Sequence, residues 1–238
     1  MRLLVYLFLL IGLSSCEKDP AAPPGPSYPS PVSIDTTLSY LALGDSYTIG
    51  TSVPAEDRWP VQLARELLQR EGIRLEPLEI VARNGWRTDN LSNALDAADP
   101  GDDWDLVSLL IGVNDQYQGF NVEGYRTRFR NLLARAIGYA GGDTAAVFVV
   151  SIPDYAYTPF GGGAAQVSRD IDAFNAVAKS ESEAAGVPFY DVVSISRQGL
   201  NTPSLVAGDD LHPSGEQYRR WVEEVLRVPV SGQIRRPD

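Results

Sequence analysis

The sequence predicts an α/β domain in which five parallel strands form one sheet with helices on both faces. Three observations predict it. From Tyr40 onward, apolar runs of strand length alternate with longer stretches whose apolar residues recur every three or four positions. The runs are continuous, as in Val147-Phe148-Val149-Val150, which is the pattern of strands covered on both faces. The 238 residues, 44% apolar and 21% charged, suffice for one such domain with a sizeable core.

The elements follow in order. Residues 40–43 form a short buried strand ended by Gly44. Residues 59–71 form a helix with Val61, Leu63, Ala64, Leu67 and Leu68 on one face, and Gly72 is placed to cap it. Residues 78–82 are the second strand and residues 104–111 the third. Residues 123–139 form a helix with Phe129, Leu132, Leu133, Ala136 and Ile137 on its apolar side. Residues 145–152 are the fourth strand, 164–185 a helix, 187–193 the fifth strand and 214–226 the last helix, with Pro213 before it.

Composition excludes several functions. The net charge of −11 argues against nucleic acid, whose phosphates need clustered Lys and Arg. A single cysteine permits no intramolecular disulfide, and one His with one Cys cannot supply the roughly four ligands of a structural zinc. No metal and no cofactor is expected.

Residues 1–15 read as a secretory signal: Arg2 is the positive start, and the apolar run that follows is too short to span a bilayer. The run ends in Leu13-Ser14-Ser15-Cys16, which resembles the lipobox of bacterial lipoproteins, and Cys16 is the only cysteine. That resemblance implies lipidation of Cys16 and an extracytoplasmic, membrane-anchored protein. Residues 16–36, with six prolines between Pro20 and Pro31, are expected to be an extended tether. The folded domain is expected at 37–228 and a frayed tail at 229–238.

The chemistry is carried by residues at strand ends, where ligands bind in parallel sheets. Ser46 follows the first strand, Gly85 the second, Asn114 the third, and His212 lies beyond the fifth. A serine hydroxyl is a weak nucleophile near neutral pH and needs a base, and the base needs a partner that fixes its tautomer. His212 is the only histidine, and Asp209 stands three residues before it. Ser46 would attack a carbonyl carbon, His212 would move the proton, and Asp209 would hold the imidazole. The oxyanion would need preformed donors worth roughly 3–4 kcal/mol each. The Ser46 N–H, the Gly85 N–H and the Asn114 side-chain amide are the candidates.

Gly44-Asp45-Ser46, Asn84-Gly85, Gly112-Val113-Asn114-Asp115 and Asp209-x-x-His212 resemble, in order, the four blocks of the SGNH (GDSL) hydrolases. The resemblance implies a three-layer α/β/α flavodoxin-like sandwich, a Ser–His–Asp triad and the oxyanion hole just described. The usual Gly-Asp-Ser-Leu is Gly-Asp-Ser-Tyr here. Asp115 is expected to be structural. Tyr47, Gln116, Tyr117 and Tyr155 are candidate substrate-binding residues, with Tyr157 and Phe160 in the same loops, and residues 158–163 suggest a mobile flap. Trp59 and Trp86 also follow strand ends, where either site or packing roles fit.

The function expected is a carboxylic ester hydrolase that removes small acyl groups, such as acetyl, from carbohydrate. Alternatives are a lysophospholipase or thioesterase on longer chains, acyl transfer, or a surface binding protein that retains the fold without using its triad. A monomer acting on a small-molecule or glycan ester is the default.

Overall fold

A computed structural model of the chain describes residues 34–235. The signal, the lipobox cysteine and most of the tether therefore lie outside the described residues. The five strands are β1 (Thr36–Gly44), β2 (Ile73–Ala82), β3 (Leu106–Leu110), β4 (Val147–Val150) and β5 (Phe189–Tyr190). All pairings are parallel and the order is β2-β1-β3-β4-β5. This is the flavodoxin-like order, in which the chain turns back beside β1 and opens a crevice at the carboxyl ends of β1 and β3.

Nine α-helical segments complete the described chain: α1 (Ser46–Ile49), α2 (Trp59–Glu71), α3 (Thr88–Ala98), α4 (Val113–Tyr117), α5 (Val122–Tyr139), α6 (Ala165–Ala184), α7 (Val193–Ser196), α8 (Gly215–Arg220) and α9 (Arg227–Ile234). The sheet separates two helical layers. On one face α2 packs with α8 and α9, and on the other α5 packs with α3 and α6. Every residue of β3 and β4 is buried, as is Tyr40–Leu43 of β1, so the central strands need no polar alternation.

The edges of the sheet depart from the sequence expectations. β2 begins five residues earlier than expected, at Ile73. Arg74, Glu76 and Pro77 read as a loop, but an edge strand tolerates charge and proline because its outer side meets water. β5 is shorter than expected. Asp191 accepts from the Val193 N–H at 2.8 Å and turns the chain into α7.

The C-terminal helix is longer than expected. It passes through a widened turn at Trp221–Leu226 and continues as α9 to Ile234, so the tail expected at 229–238 is ordered structure through that residue. Pro229 lies in the first turn of α9, where a missing N–H costs little. Val230 is buried, and Gln233 donates to the carbonyls of Ala145 (2.6 Å) and Val147 (2.8 Å) while accepting from the Tyr190 hydroxyl (2.9 Å). These bonds lock α9 onto the bottom of β4. The helix α3 was not expected. Its apolar face is only Leu91 and Leu95, and its Asp and Asn residues are weak helix formers.

One carboxylate ties α5 to α6 through two ion pairs. The Glu181 carboxylate, 8% exposed, accepts from Arg126 (2.8 Å) and Arg130 (2.7 and 3.1 Å). The Arg130 bond foremost, then the Arg126 bond, outweighs burial and lowers the Glu181 carboxyl to about 2. A carboxyl held below its unfolded value stabilises the fold above that value and loses the contribution as pH falls toward 2. Because both arginines are partly solvated, Glu181→Gln is expected to cost about 1–2 kcal/mol at pH 7. Urea titrations of both proteins should show the difference shrinking between about pH 4.5 and 2.

Candidate active site

Four loops hold the predicted catalytic and oxyanion residues, and a fifth, after β4, supplies part of the aromatic wall. The first is the turn from β1 into α1. Gly44 ends β1 so close to its neighbours that a Cβ there would collide with Thr48 Oγ1 and the Leu110 carbonyl oxygen. Asp45 caps α1 by accepting from the Tyr47 N–H at 3.0 Å, and this places Ser46 in the first turn. Among the described residues the Ser46 hydroxyl has no hydrogen-bond partner, and it lines a pocket with His212. An unheld hydroxyl can rotate toward either the imidazole or a substrate carbonyl.

The second loop follows β2. Asn84 reaches the pocket, whereas Gly85, at φ +79° and exposed, stands beside the lining residues rather than among them. The third loop follows β3. Gly112, at φ +132°, brings its backbone against the Tyr125 ring, a position closed to any side chain. Asn114 lines the pocket and donates from Nδ2 to the Trp86 carbonyl at 2.9 Å. That bond uses one N–H of the amide and orients the other. Asp115 is structural, as expected: it is fully buried and accepts from Thr88 N (2.9 Å), Thr88 Oγ1 (2.6 Å) and Arg128 (3.1 Å).

The fourth loop carries the histidine. It is pinned by the Val206–Pro213 bridge, the Ala207 N–H to His212 carbonyl bond (2.8 Å) and the Ser214 N–H to Leu205 carbonyl bond (2.9 Å). His212 Nδ1 lies 2.6 Å from Asp209 Oδ2. The other oxygen, Oδ1, accepts from the Leu211 N–H (3.1 Å) and the His212 N–H (2.9 Å), and Ser52 Oγ donates to Oδ2 at 2.5 Å. Burial alone would raise the Asp209 carboxyl. The bonds from Ser52, His212 and Leu211 outweigh it and hold the group well below the ordinary carboxylate range. Asp209 is therefore an acceptor only near neutrality, so the ring proton belongs on Nδ1 and the Nε2 lone pair is left for a proton from outside. The Tyr47 ring meets the imidazole edge-on, with centroids 5.7 Å apart.

Aromatic side chains wall the pocket. Tyr117, Tyr155 and Phe160 contact one another with centroids 6.1–6.3 Å apart, and Tyr117 (60%) and Phe160 (52%) are largely exposed. With Tyr47, Val113 and Leu211 they bound a cavity of about 230 Å³. Gln116 does not line it. Its Oε1 accepts from the Tyr155 hydroxyl at 2.9 Å and its amide reaches Asp170 at 3.5 Å, so it braces the wall from behind. Tyr157 is also absent from the lining, Trp59 is a core residue stacked edge-on to Phe148, and Trp86 contributes its carbonyl. Residues 158–163 form a tied turn where a loose flap was expected. Gly161 N–H donates to Thr158 Oγ1, Gly163 N–H to the Ala156 carbonyl, and Phe160 N–H to the Asp210 carbonyl at 3.0 Å.

Asp45 is fully buried, and its Oδ2 has no partner among the described residues. Burial foremost, against the Tyr47 N–H bond and with the nearby Asp115 charge adding, pushes its carboxyl up to about 8. A folded-state value above the unfolded one means stability is lost as pH rises from about 4 to about 8. Asp45→Asn keeps the cap acceptor without the ionisation. It is expected to gain stability relative to the parent as pH rises through that window, read in denaturant melts at pH 4 and 8.

No curated protein sequence matches the chain at a significant level. Solved structures do. The psychrotrophic esterase EstA from Pseudoalteromonas sp. is similar at 18% identity and a TM-score of 0.59, over 82% of this chain and 96% of that one. Axe2, an acetylxylan esterase from Geobacillus stearothermophilus, is similar at 19% identity and 0.60, over 87% and 98%. The structure of TesA is similar at 18% identity and 0.63, over 83% and 98%. At these identities the likeness shows the shared three-layer fold. A model of the GDSL-like lipase/acylhydrolase family matches residues 42–220, which hold all four sequence blocks. The chain belongs to the GDSL-like lipase/acylhydrolase family and is a hydrolase of ester bonds.

Proposed function

We propose that this protein is a serine esterase in which Ser46 is the nucleophile, His212 the general base and acid, and Asp209 the group that orients the imidazole. The observation that carries the reading is the 2.6 Å Asp209–His212 contact, opening into the pocket that Ser46 also lines. His212 Nε2 takes the Ser46 proton as Oγ bonds to the ester carbonyl carbon. The negative charge on the former carbonyl oxygen is met by the Ser46 N–H and the free N–H of Asn114, with the Gly85 N–H in the loop beside the pocket as the third donor once substrate is bound. Collapse breaks the C–O bond to the alcohol, which leaves with the proton from His212. Water, deprotonated by His212, then cleaves the acyl-enzyme and restores Ser46.

The substrate is a small acyl ester on a carbohydrate. A cavity of about 230 Å³ falls below the roughly 300–1,000 Å³ of sites for drug-sized ligands, which suits an acetyl group better than a long chain. The exposed rings of Tyr117 and Phe160 at the cavity rim offer flat apolar faces of the kind that stack on sugar rings. The similar Axe2 structure is described as an acetylxylan esterase, which is consistent with this choice. The protein works as a monomer outside the cytoplasm, tethered to a bacterial membrane by lipid on Cys16.

Hydrolysis of p-nitrophenyl acetate, butyrate and octanoate tests the reading. Activity is expected to fall with chain length, and Ser46→Ala is expected to lower kcat by roughly 10³-fold or more with the fold intact. Rates that rise toward octanoate would move the substrate to lipid esters. A Ser46→Ala protein with unchanged activity would remove the serine mechanism.

A further inference from the structure

The loop that follows the nucleophile turns through two left-handed residues, Gly50 at φ +68° and Ser52 at φ +67°. Glycine adopts this conformation freely, whereas a residue with a Cβ is strained there. Ser52 is exposed and fills no cavity, so its side chain does not earn its place by packing. What the hydroxyl does is reach across 157 residues of sequence to Asp209 Oδ2, at 2.5 Å. That oxygen is the one facing His212 Nδ1. Among the described residues, the other hydrogen bonds to Asp209 come from within its own turn, from Leu211 and His212. Ser52 is the hydrogen bond from outside the turn, and it comes from the loop that leaves α1, the helix that carries Ser46.

We propose that Ser52 is a positioning residue for hydrolysis, fixing the Asp209 carboxylate, and through it the His212 ring, from the loop that follows the nucleophile. The proposal rests on the serine esterase reading of the site. A carboxylate held only by its own turn can rotate about its side-chain bonds and carry the imidazole with it. A second hold, anchored beside Ser46, sets the base relative to the nucleophile. The bond also delivers a hydrogen-bond donor to an ionised acceptor, the stronger kind of hydrogen bond.

The test compares Ser52→Gly, Ser52→Ala, Asp209→Ala and the Ser52→Gly/Asp209→Ala double variant in the full chain, with Ser46→Ala as reference and p-nitrophenyl acetate as probe. Both single Ser52 variants lose the hydroxyl, but glycine relieves the left-handed strain and alanine does not. The expected result is a fall in kcat of roughly tenfold in both, with KM unchanged, although Ser52→Gly melts no lower than the parent. In the Asp209→Ala background the Ser52→Gly change is expected to have no further effect, because its partner is gone. Parent-like kcat in Ser52→Gly, or an equal loss with and without Asp209, would overturn the proposal while leaving the esterase reading intact. Activity that survives Ser46→Ala would overturn both.

Discussion

The reversal of strand order beside β1 is the constraint on which the site depends. Because β2 lies on one side of β1 and β3 on the other, the loops leaving these strands part and leave a crevice between them. Ser46 follows β1, Asn84 follows β2 and Asn114 follows β3, and all three line the one pocket. These residues are placed by the backbone of a buried parallel sheet, whose register cannot slip without exposing apolar side chains. Tyr155 and Phe160 come from the loop after β4, and the Asp209–His212 pair arrives from beyond β5. That pair needs its own pinned loop, and it has one in the bonds that close residues 205–214.

The carboxyl ends of the central strands carry three fully buried carboxyl groups: Asp45 in the turn after β1, Asp115 in the short helix α4 after β3, and Asp154 in the turn after β4. Each accepts a backbone N–H and so shapes the turn that carries a neighbouring site residue. Asp45 holds Tyr47 beside Ser46, Asp115 holds Thr88 in the loop of Asn84, and Asp154 holds Ala156 beside Tyr155. Burying a carboxylate is costly unless it is paired. Arg128 pairs with Asp115 and Arg197 with Asp154, at 3.1 and 2.9 Å. Among the described residues Asp45 has no such cation. The resulting upward shift of its carboxyl is the physical cost of setting the nucleophile on so tight a corner.

Much of this was legible in the sequence, because strand ends are where motif residues and buried apolar runs meet. The parallel sheet, the helices of 59–71 and 123–139, and the Asp209–His212 pairing all follow from patterns that need no distant partner. What escaped depends on contacts between remote segments. The first half of β2 reads as a loop until its place at the sheet edge is known. Pro229 and the polar Gln233 read as the start of a frayed end, yet Gln233 bonds carbonyls near residues 145 and 147. Gln116 sits beside the Asn114 block but turns away from the pocket to brace Tyr155. Ser52 carries no motif at all, and only its backbone conformation and its reach to Asp209 reveal it.

Covalent labelling of the intact protein with a fluorophosphonate, read by peptide mass spectrometry, shows which side chain is the nucleophile and whether His212 activates it. One adduct is expected, on Ser46, formed at a rate that collapses in a folded His212→Ala variant. Labelling of a different serine, or labelling of Ser46 at an undiminished rate without His212, would contradict these roles.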